Sequence, residues 1–360
     1  MIWLAWRQFR VQAAVGLFVL IVFAALFGVT HSHVLHLYNT AVKPCGKVGD
    51  CHSVTNAFLN HYDFYEHLVQ FSIAAPALIG AFWGAPLVAR EFESGTIRLT
   101  WTQSEMRVKW LAAKLAVAGA ASAIFVGLFS LMATWWSSSW DQVNGDPYST
   151  FDVRNIVPVG YALFAFALGV ALGVLIKRTL PAMAATFVTY GVVRVFYNLH
   201  IRPHLMSPLT STTKFYAPFA GGAGPAFNGP PLREALIVSN TTLNKAGKVI
   251  GQNGGIGANG EFNFSLPNKV GGHAYFDGVG RCPNAFPATA RPPVGTEIHS
   301  GPGPATVKAM NTCINSFHLT SVLKYQPLDR YWTFQWYELG SYLILAALLS
   351  VFSFWWVRRR

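Results

Sequence analysis

Six apolar runs constrain this chain more than any other feature. They cover residues 11–30, 68–88, 111–135, 157–176, 180–199 and 337–357. A hydrocarbon core about 30 Å thick needs roughly 20 apolar residues as helix, and each run has that length. Away from their ends the runs hold no Asp, Glu, Lys or Arg, except for Arg194 in the fifth. Soluble helical cores rarely need runs this long. Composition agrees: 52% of residues are hydrophobic, only 12% are charged, and mean hydropathy is +0.34. Lipid offers no partner for backbone polar groups, so each run is expected to be a helix. The expected fold is an all-α polytopic membrane protein with six transmembrane helices.

Basic residues orient the spans. With the N-terminus inside, the inner segments carry Arg7 and Arg10, then Arg90, Arg98, Arg107, Lys109 and Lys114, then Lys177 and Arg178, and last Arg358, Arg359 and Arg360. These are 12 of the 27 Lys and Arg, against three acids (Glu91, Glu93 and Glu105). Every inner segment obeys the positive-inside rule, which puts both termini in the cytoplasm. The net charge of +12 thus reflects topology and anionic lipid contact rather than nucleic-acid binding. Residues 23–33 offer no small-x-small cleavage site, so the first run is read as a retained span and not a signal peptide.

The expected organisation is an interfacial N-terminal helix over 1–10, transmembrane helices 1 to 5 over 11–200 with a charged loop at 89–109, an extracytoplasmic domain over 201–333, and helix 6 with a basic tail over 334–360. Trp3, Trp6, Arg7 and Arg10 suit the inner interface, although the same residues fit a simple flank of span 1. All four cysteines fall outside, two in each large outer loop. An even count on the oxidising side suggests disulfides Cys45–Cys51 and Cys282–Cys313. Bridging between the loops and free thiols remain alternatives.

The first outer loop also holds His31, His33, His36, His52, His61 and His67. Their spacing is no known ligand pattern, and they are read as solvated or interfacial rather than as a metal site. The outer domain is rich in Gly, Pro and Asn. Strands are expected at 235–239 and 248–251 around an Asn-Lys-Ala-Gly turn, and at 261–266 from alternation. The stretch NGGIGANG at 253–260 reads as turn material. It lacks the G-K-[ST] ending of a phosphate loop.

Two spans are unusual. The second carries Pro76, Gly80, Gly84 and Pro86, the marks of a kinked helix. In the fifth, Thr186, Tyr190, Arg194 and Tyr197 follow 4-4-3 spacing and share one face. An intramembrane Arg is costly unless it faces protein or water. That face either lines a substrate path, or Arg194 snorkels to headgroups.

No constellation for catalysis is present: no H-E-x-x-H, no G-x-S-x-G and no Walker A segment. Glu91 and Glu93 sit two apart, which on a helix points them to different faces. The chain is therefore not expected to be an enzyme. The compact charged island at 84–114 is instead suited to docking a soluble protein. Pro86 bends the chain out of span 2, Ala89–Phe92 is expected to start a short surface helix, and Ser94-Gly95-Thr96 makes a turn. Glu91, Glu93 and Arg98 together suit a charged groove, because pure lipid contact would want only Lys and Arg.

Residues 86–104 read PLVAREFESGTIRLTWTQS. They resemble the inner loop of ABC transporter permeases of the type-2 exporter class, P-L-[VL]-A-R-E-x-E-x-G-T-x-R-L-x-W-T-Q-S. The end of the chain resembles an actinobacterial subgroup: Tyr325-Gln326-Pro327, Arg330-Tyr331-Trp332, Phe334-Gln335-Trp336 and Glu338 ahead of the last span and basic tail. The resemblance implies a permease subunit in the bacterial plasma membrane that works as a homodimer or heterodimer. It implies cytosolic ABC ATPase subunits as partners, with ATP and Mg bound there and no cofactor on this chain. Arg90, Glu91, Glu93, Gly95, Thr96 and Arg98 would form the ATPase-coupling helix, and the cargo would be hydrophobic or amphipathic. The alternative is a membrane sensor that uses its outer domain for recognition without transport.

Overall fold

A computed structural model describes residues 2–45, 72–95, 104–144, 147–214, 235–256, 262–265, 273–275, 312 and 318–359. The chain divides into two compact units, Met1–Leu205 with Arg330–Arg360, and Met206–Asp329.

The first unit is helical: α1 (Ile2–Leu37), α2 (Ser72–Glu93), α3 (Ser104–Asn144), α4 (Val157–Ile176), α5 (Thr179–His204) and α6 (Tyr331–Arg359). Six helices among the described residues are long and apolar enough to cross a membrane, and the described parts of the six apolar runs fall on them. α1 is unbroken from Ile2, so residues 1–10 are not set off from the first span by a bend. The burial of each apolar window ranks the helices. It is 72% for α4, 56% for α2 and 22% for α1, α5 and α6. α4 is thus the central post, and the outer helices turn apolar faces outward, with Val11, Val15 and Phe18 on α1 and Val188, Val192 and Val195 on α5.

The α2–α4 contact is built from small residues. Gly80-x-x-x-Gly84 faces Ala165, Gly169 and Gly173, each four residues from the next. A Cβ on Gly80 would lie 2.4 Å from the Ala165 carbonyl oxygen, one on Gly84 2.5 Å from that of Phe166, and one on Gly169 2.2 Å from that of Gly80. Without a hydrophobic drive between helices in lipid, such backbone approach is what holds spans together. Gly80–Gly84 is a π-helical turn, a common irregularity within spans. Pro86 has no N–H to offer the carbonyl of Phe82, four residues back. That carbonyl accepts a bond from Nε2 of Gln12 on α1 at 3.0 Å.

Contrary to the expected surface helix at 89–92, the last part of α2 continues the span as Ala85–Glu93, with Ala85, Val88 and Ala89 fully buried. The helix closes at Ser94 and Gly95. Gly95 takes φ +70°, a left-handed conformation that glycine adopts at no steric cost.

The second unit is an antiparallel sheet of order β1-β6-β2-β3-β4-β5 among the described residues: β1 (Leu209–Lys214), β2 (Leu236–Leu243), β3 (Val249–Ile256), β4 (Phe262–Ser265), β5 (His273–Tyr275) and β6 (Thr320–Gln326). The Asn-Lys-Ala-Gly turn joins β2 to β3. Oδ1 of Asn244 accepts the amides of Ala246 and Lys248 at 3.0 and 2.9 Å, and Gly247 takes φ +74°. Asn253–Ile256 belongs to β3 rather than to a loop, because Gly255 and Ile256 pair with Asn263 and Phe262. Residues 257–260 lie outside the described residues.

Candidate functional site

Two polar clusters stand at opposite ends of the helical unit. The first joins the C-terminal end of α2 to α3 and to the α4–α5 connection. Glu91 pairs with Nζ of Lys114 on α3, and the same ammonium donates to the Leu87 carbonyl at 3.2 Å and lies 4.6 Å over the Trp110 ring. Lys114 is 4% exposed, so the pair sits inside the bundle, where each charge depends on the other. Glu93 reaches α5. Its Oε2 accepts from the Thr179 amide at 3.3 Å and from the Thr179 hydroxyl at 2.5 Å. Thr179 opens α5, whose preceding residue Arg178 supplies no side-chain cap. The carboxylate therefore caps that helix from another helix and meets the positive end of its dipole. Glu91 and Glu93, two apart on α2, point to different helices, as their spacing required. Both carboxylates that the sequence offers to a partner are thus engaged within the chain. Arg90 is exposed and Gly95 forms the cap, while Thr96 and Arg98 lie outside the described residues.

The second cluster gathers the turn at 147–156, the start of α4, the end of α5 and the start of α6. Arg194 does not snorkel. Its side chain is 6% exposed, with Nη1 donating to Glu338 Oε1 at 3.1 Å and to the Tyr342 hydroxyl at 3.3 Å, and Nη2 3.0 Å from Asp152 Oδ1. The guanidinium lies 3.8 Å from the Tyr161 ring centroid. Arg202 donates through Nε and Nη2 to the two oxygens of Glu338, each at 2.8 Å, and also binds Asp152. The Tyr161 hydroxyl donates to Glu338 Oε1 at 2.6 Å. Two guanidiniums meet two carboxylates, so the cluster is neutral, which lets four charges be buried, while Nε of Arg194 has no hydrogen-bond partner among the described residues. Burial pushes the Asp152 carboxyl upward, but the Arg202 and Arg194 guanidiniums outweigh it and hold the group down at about 2.

Arg154 and Gln335 complete this end. Arg154 donates to the Ser137 hydroxyl at 3.0 Å and to the Tyr331 hydroxyl at 3.3 Å. Gln335 of α6 accepts the Val157 amide at 3.1 Å, capping α4. Of the predicted polar face, Thr186 bonds back to the Ala182 carbonyl at 2.7 Å, and Tyr197 shares a 2.8 Å bond with Ser341. The Tyr190 hydroxyl is buried without a hydrogen-bond partner among the described residues. The face is closed over by Phe164 and Tyr342, whose rings lie 6.1 Å from Tyr190 and 4.9 Å from Tyr197. The sequence reading singled out Arg194 but not Asp152, Arg202 or the pairing role of Glu338.

The side chain of Cys45, together with Cys51, Cys282 and Cys313, lies outside the described residues, as do His52, His61 and His67.

Residues 17–202, just over half of the chain and containing α2, α4 and the first cluster, match the family described as ABC-2 membrane transporter related. The chain belongs to that family. Membership supports a multi-pass membrane protein that serves as the permease component of an ABC transporter. Such permeases are generally non-catalytic and normally work with a cytosolic ATPase. No curated protein and no solved structure matches the chain.

Proposed function

We propose that this chain is the membrane permease of an ATP-driven exporter in a bacterial plasma membrane, and that the end of α2 is where a separate cytosolic ATPase engages it. The observation that carries this reading is the double tie of that end, through Glu91 to Lys114 on α3 and through Glu93 to the first residue of α5. A push on residues 90–95 moves both helices, because the α2–α4 glycine contact gives α2 a fixed post to turn against. α5 carries Thr186, Tyr190, Arg194 and Tyr197 on the face packed against α4 and α6. Drawing α5 away from them opens a polar track for a hydrophobic or amphipathic cargo. ATP and Mg stay on the partner, and this chain supplies no catalytic group. The basic residues of the inner segments support cytoplasmic termini and an extracytoplasmic sheet unit. The C-terminal pattern from Tyr325 to Glu338 supports an actinobacterial source, and a dimer of permeases with two ATPases fits the family.

The test is purification of the intact complex through a tag on this chain, with 8-azido-ATP photolabelling of whatever co-purifies. The reading requires a labelled ATPase subunit. It also requires that Glu93→Gln and Thr179→Val leave that subunit bound while changing its ATP turnover in the complex. Absence of an ATP-binding subunit from wild-type preparations at low salt would refute the reading.

A further inference from the structure

The charged groups at the α2 end of the bundle fall into two sets. The acids have partners within the chain, Glu91 the buried Lys114 and Glu93, which stays exposed, the amide and hydroxyl of Thr179. The bond from Glu93 holds the α4–α5 connection against the end of α2, and the charged neighbours of its carboxylate are Arg178 and Arg90. Both arginines are exposed. Lys177, the residue that closes α4, lies 5.6 Å over the Phe92 ring. Among the described residues the exposed charges at this junction are Arg90, Arg178 and the Glu93 carboxylate between them, with Lys177 half-buried beside them, so the net outward charge is basic.

We propose that Arg90 and Arg178 form a two-arginine docking patch for an acidic surface of the ATPase, with Glu93 as the strut that sets them side by side. The proposal rests on the coupling reading above and names the chemistry of the partner at that site. Guanidiniums bind carboxylates in planar, two-pronged fashion, which suits a defined protein surface. The basic residues placed for lipid are of another kind. Arg7 lies 5.4 Å over exposed Trp3, and Arg359 lies 4.4 Å over exposed Trp355. Those ring-and-guanidinium pairs fit the headgroup level of a bilayer. Arg90 directly follows Ala89 and Arg178 lies four residues before Ala182, so both flank the junction whose interior is Ala85, Ala89 and Ala182. Both thus stand where α2 ends and α5 begins, at the end of the bundle rather than along its length.

The test measures how much photolabelled ATPase stays on the tagged permease. R90E/R178E is expected to retain about tenfold less than wild type, and R90A/R178A, which brings no new acid to the Glu93 carboxylate, is the variant expected to keep its melting temperature. R90A/R178A is expected to retain severalfold less. Without any substitution, raising salt from about 0.1 M to about 0.5 M is expected to strip the ATPase from the wild-type complex, as screening shortens the reach of the patch. Undiminished retention by R90E/R178E, or retention of the wild type that salt does not change, overturns the docking patch and leaves the coupling reading standing. A wild-type complex without any labelled subunit overturns the coupling reading itself. Nanodiscs of phosphatidylcholine with and without phosphatidylglycerol supply the membrane arm. If the charge reversal abolishes stabilisation by phosphatidylglycerol and leaves ATPase retention intact, the patch faces lipid and the proposal fails.

Discussion

Gly169→Ala tests the packing on which the coupling account depends. Gly169 sits mid-way along the central helix, and a methyl group there would lie 2.2 Å from the Gly80 carbonyl oxygen and 2.8 Å from the Ala85 amide nitrogen. Ordinary contact begins at 3.4 Å, so α2 and α4 must part by about 1 Å to admit it. Both clashing atoms are backbone, which leaves no rotamer to absorb the strain. Overpacking of a well-filled contact costs about 1–3 kcal/mol, and this site belongs at the upper end because the parting also loosens the contacts of Gly80, Gly84 and Gly173. The expected loss of melting temperature in detergent is about 5–10 °C. Gly191→Ala is the matched control. Gly191 lies on α5 with nothing within 4 Å of its would-be Cβ, and alanine there is expected to be neutral or slightly stabilising. Equal melting of the two variants would refute the close α2–α4 approach and the fixed post built on it.

Other substitutions probe the two clusters. Glu338→Gln leaves Arg194 and Arg202 facing a neutral amide in a fully buried site and is expected to cost about 3–5 kcal/mol in thermal or denaturant unfolding; Arg194→Lys should not restore wild-type stability, because an ammonium cannot hold Glu338, Asp152 and Tyr342 at once. Lys114→Met and Glu91→Gln should be non-additive, with a coupling energy of about 0.5–3 kcal/mol in a double-mutant cycle; additive losses would show that the pair is not formed. Asp152 predicts a pH dependence. Its carboxyl is held at about 2 against an ordinary 3.8, so folding is favoured by about 2 kcal/mol above pH 4, and that contribution is lost as pH falls towards 2. Asp152→Asn should flatten this part of the unfolding profile, and an unchanged acid limb would contradict the pairing.

The spans were legible because 20 apolar residues in a row leave one solution in lipid. The glycines of α2 were legible as irregularities, but a small-xxx-small spacing does not name its partner, and Gly169-x-x-x-Gly173 looks like any other stretch of an apolar helix. The polar face of α5 could be read from its 4-4-3 spacing. Its partners could not, since Asp152 and Glu338 lie 42 and 144 residues from Arg194 in the chain. One available signal was that a buried Arg requires an acid, and Glu338 stands at the edge of the last apolar run. At the α2 end, the spacing of Glu91 and Glu93 foretold that they point apart, while only the tertiary packing supplied Lys114 and Thr179 as their targets. Among the strands, β2, β3 and β4 announced themselves by β-branched and aromatic residues around a turn. Asn253–Ile256 did not, because its extended form is dictated by pairing to β4 rather than by propensity.

The central claim is that the ATPase meets this permease at the end of α2. It is tested most directly by a benzophenone carried on Ser94→Cys, an exposed position beside Glu93, compared with one carried on Asn39→Cys, exposed at the far end of the helical unit, with identically treated wild type as background. In membranes of the native complex, ultraviolet light should join the 8-azido-ATP-labelled subunit to the Ser94 probe and not to the Asn39 probe. A crosslink to the Asn39 probe, or none to the Ser94 probe in a complex that still turns over ATP, would contradict the account.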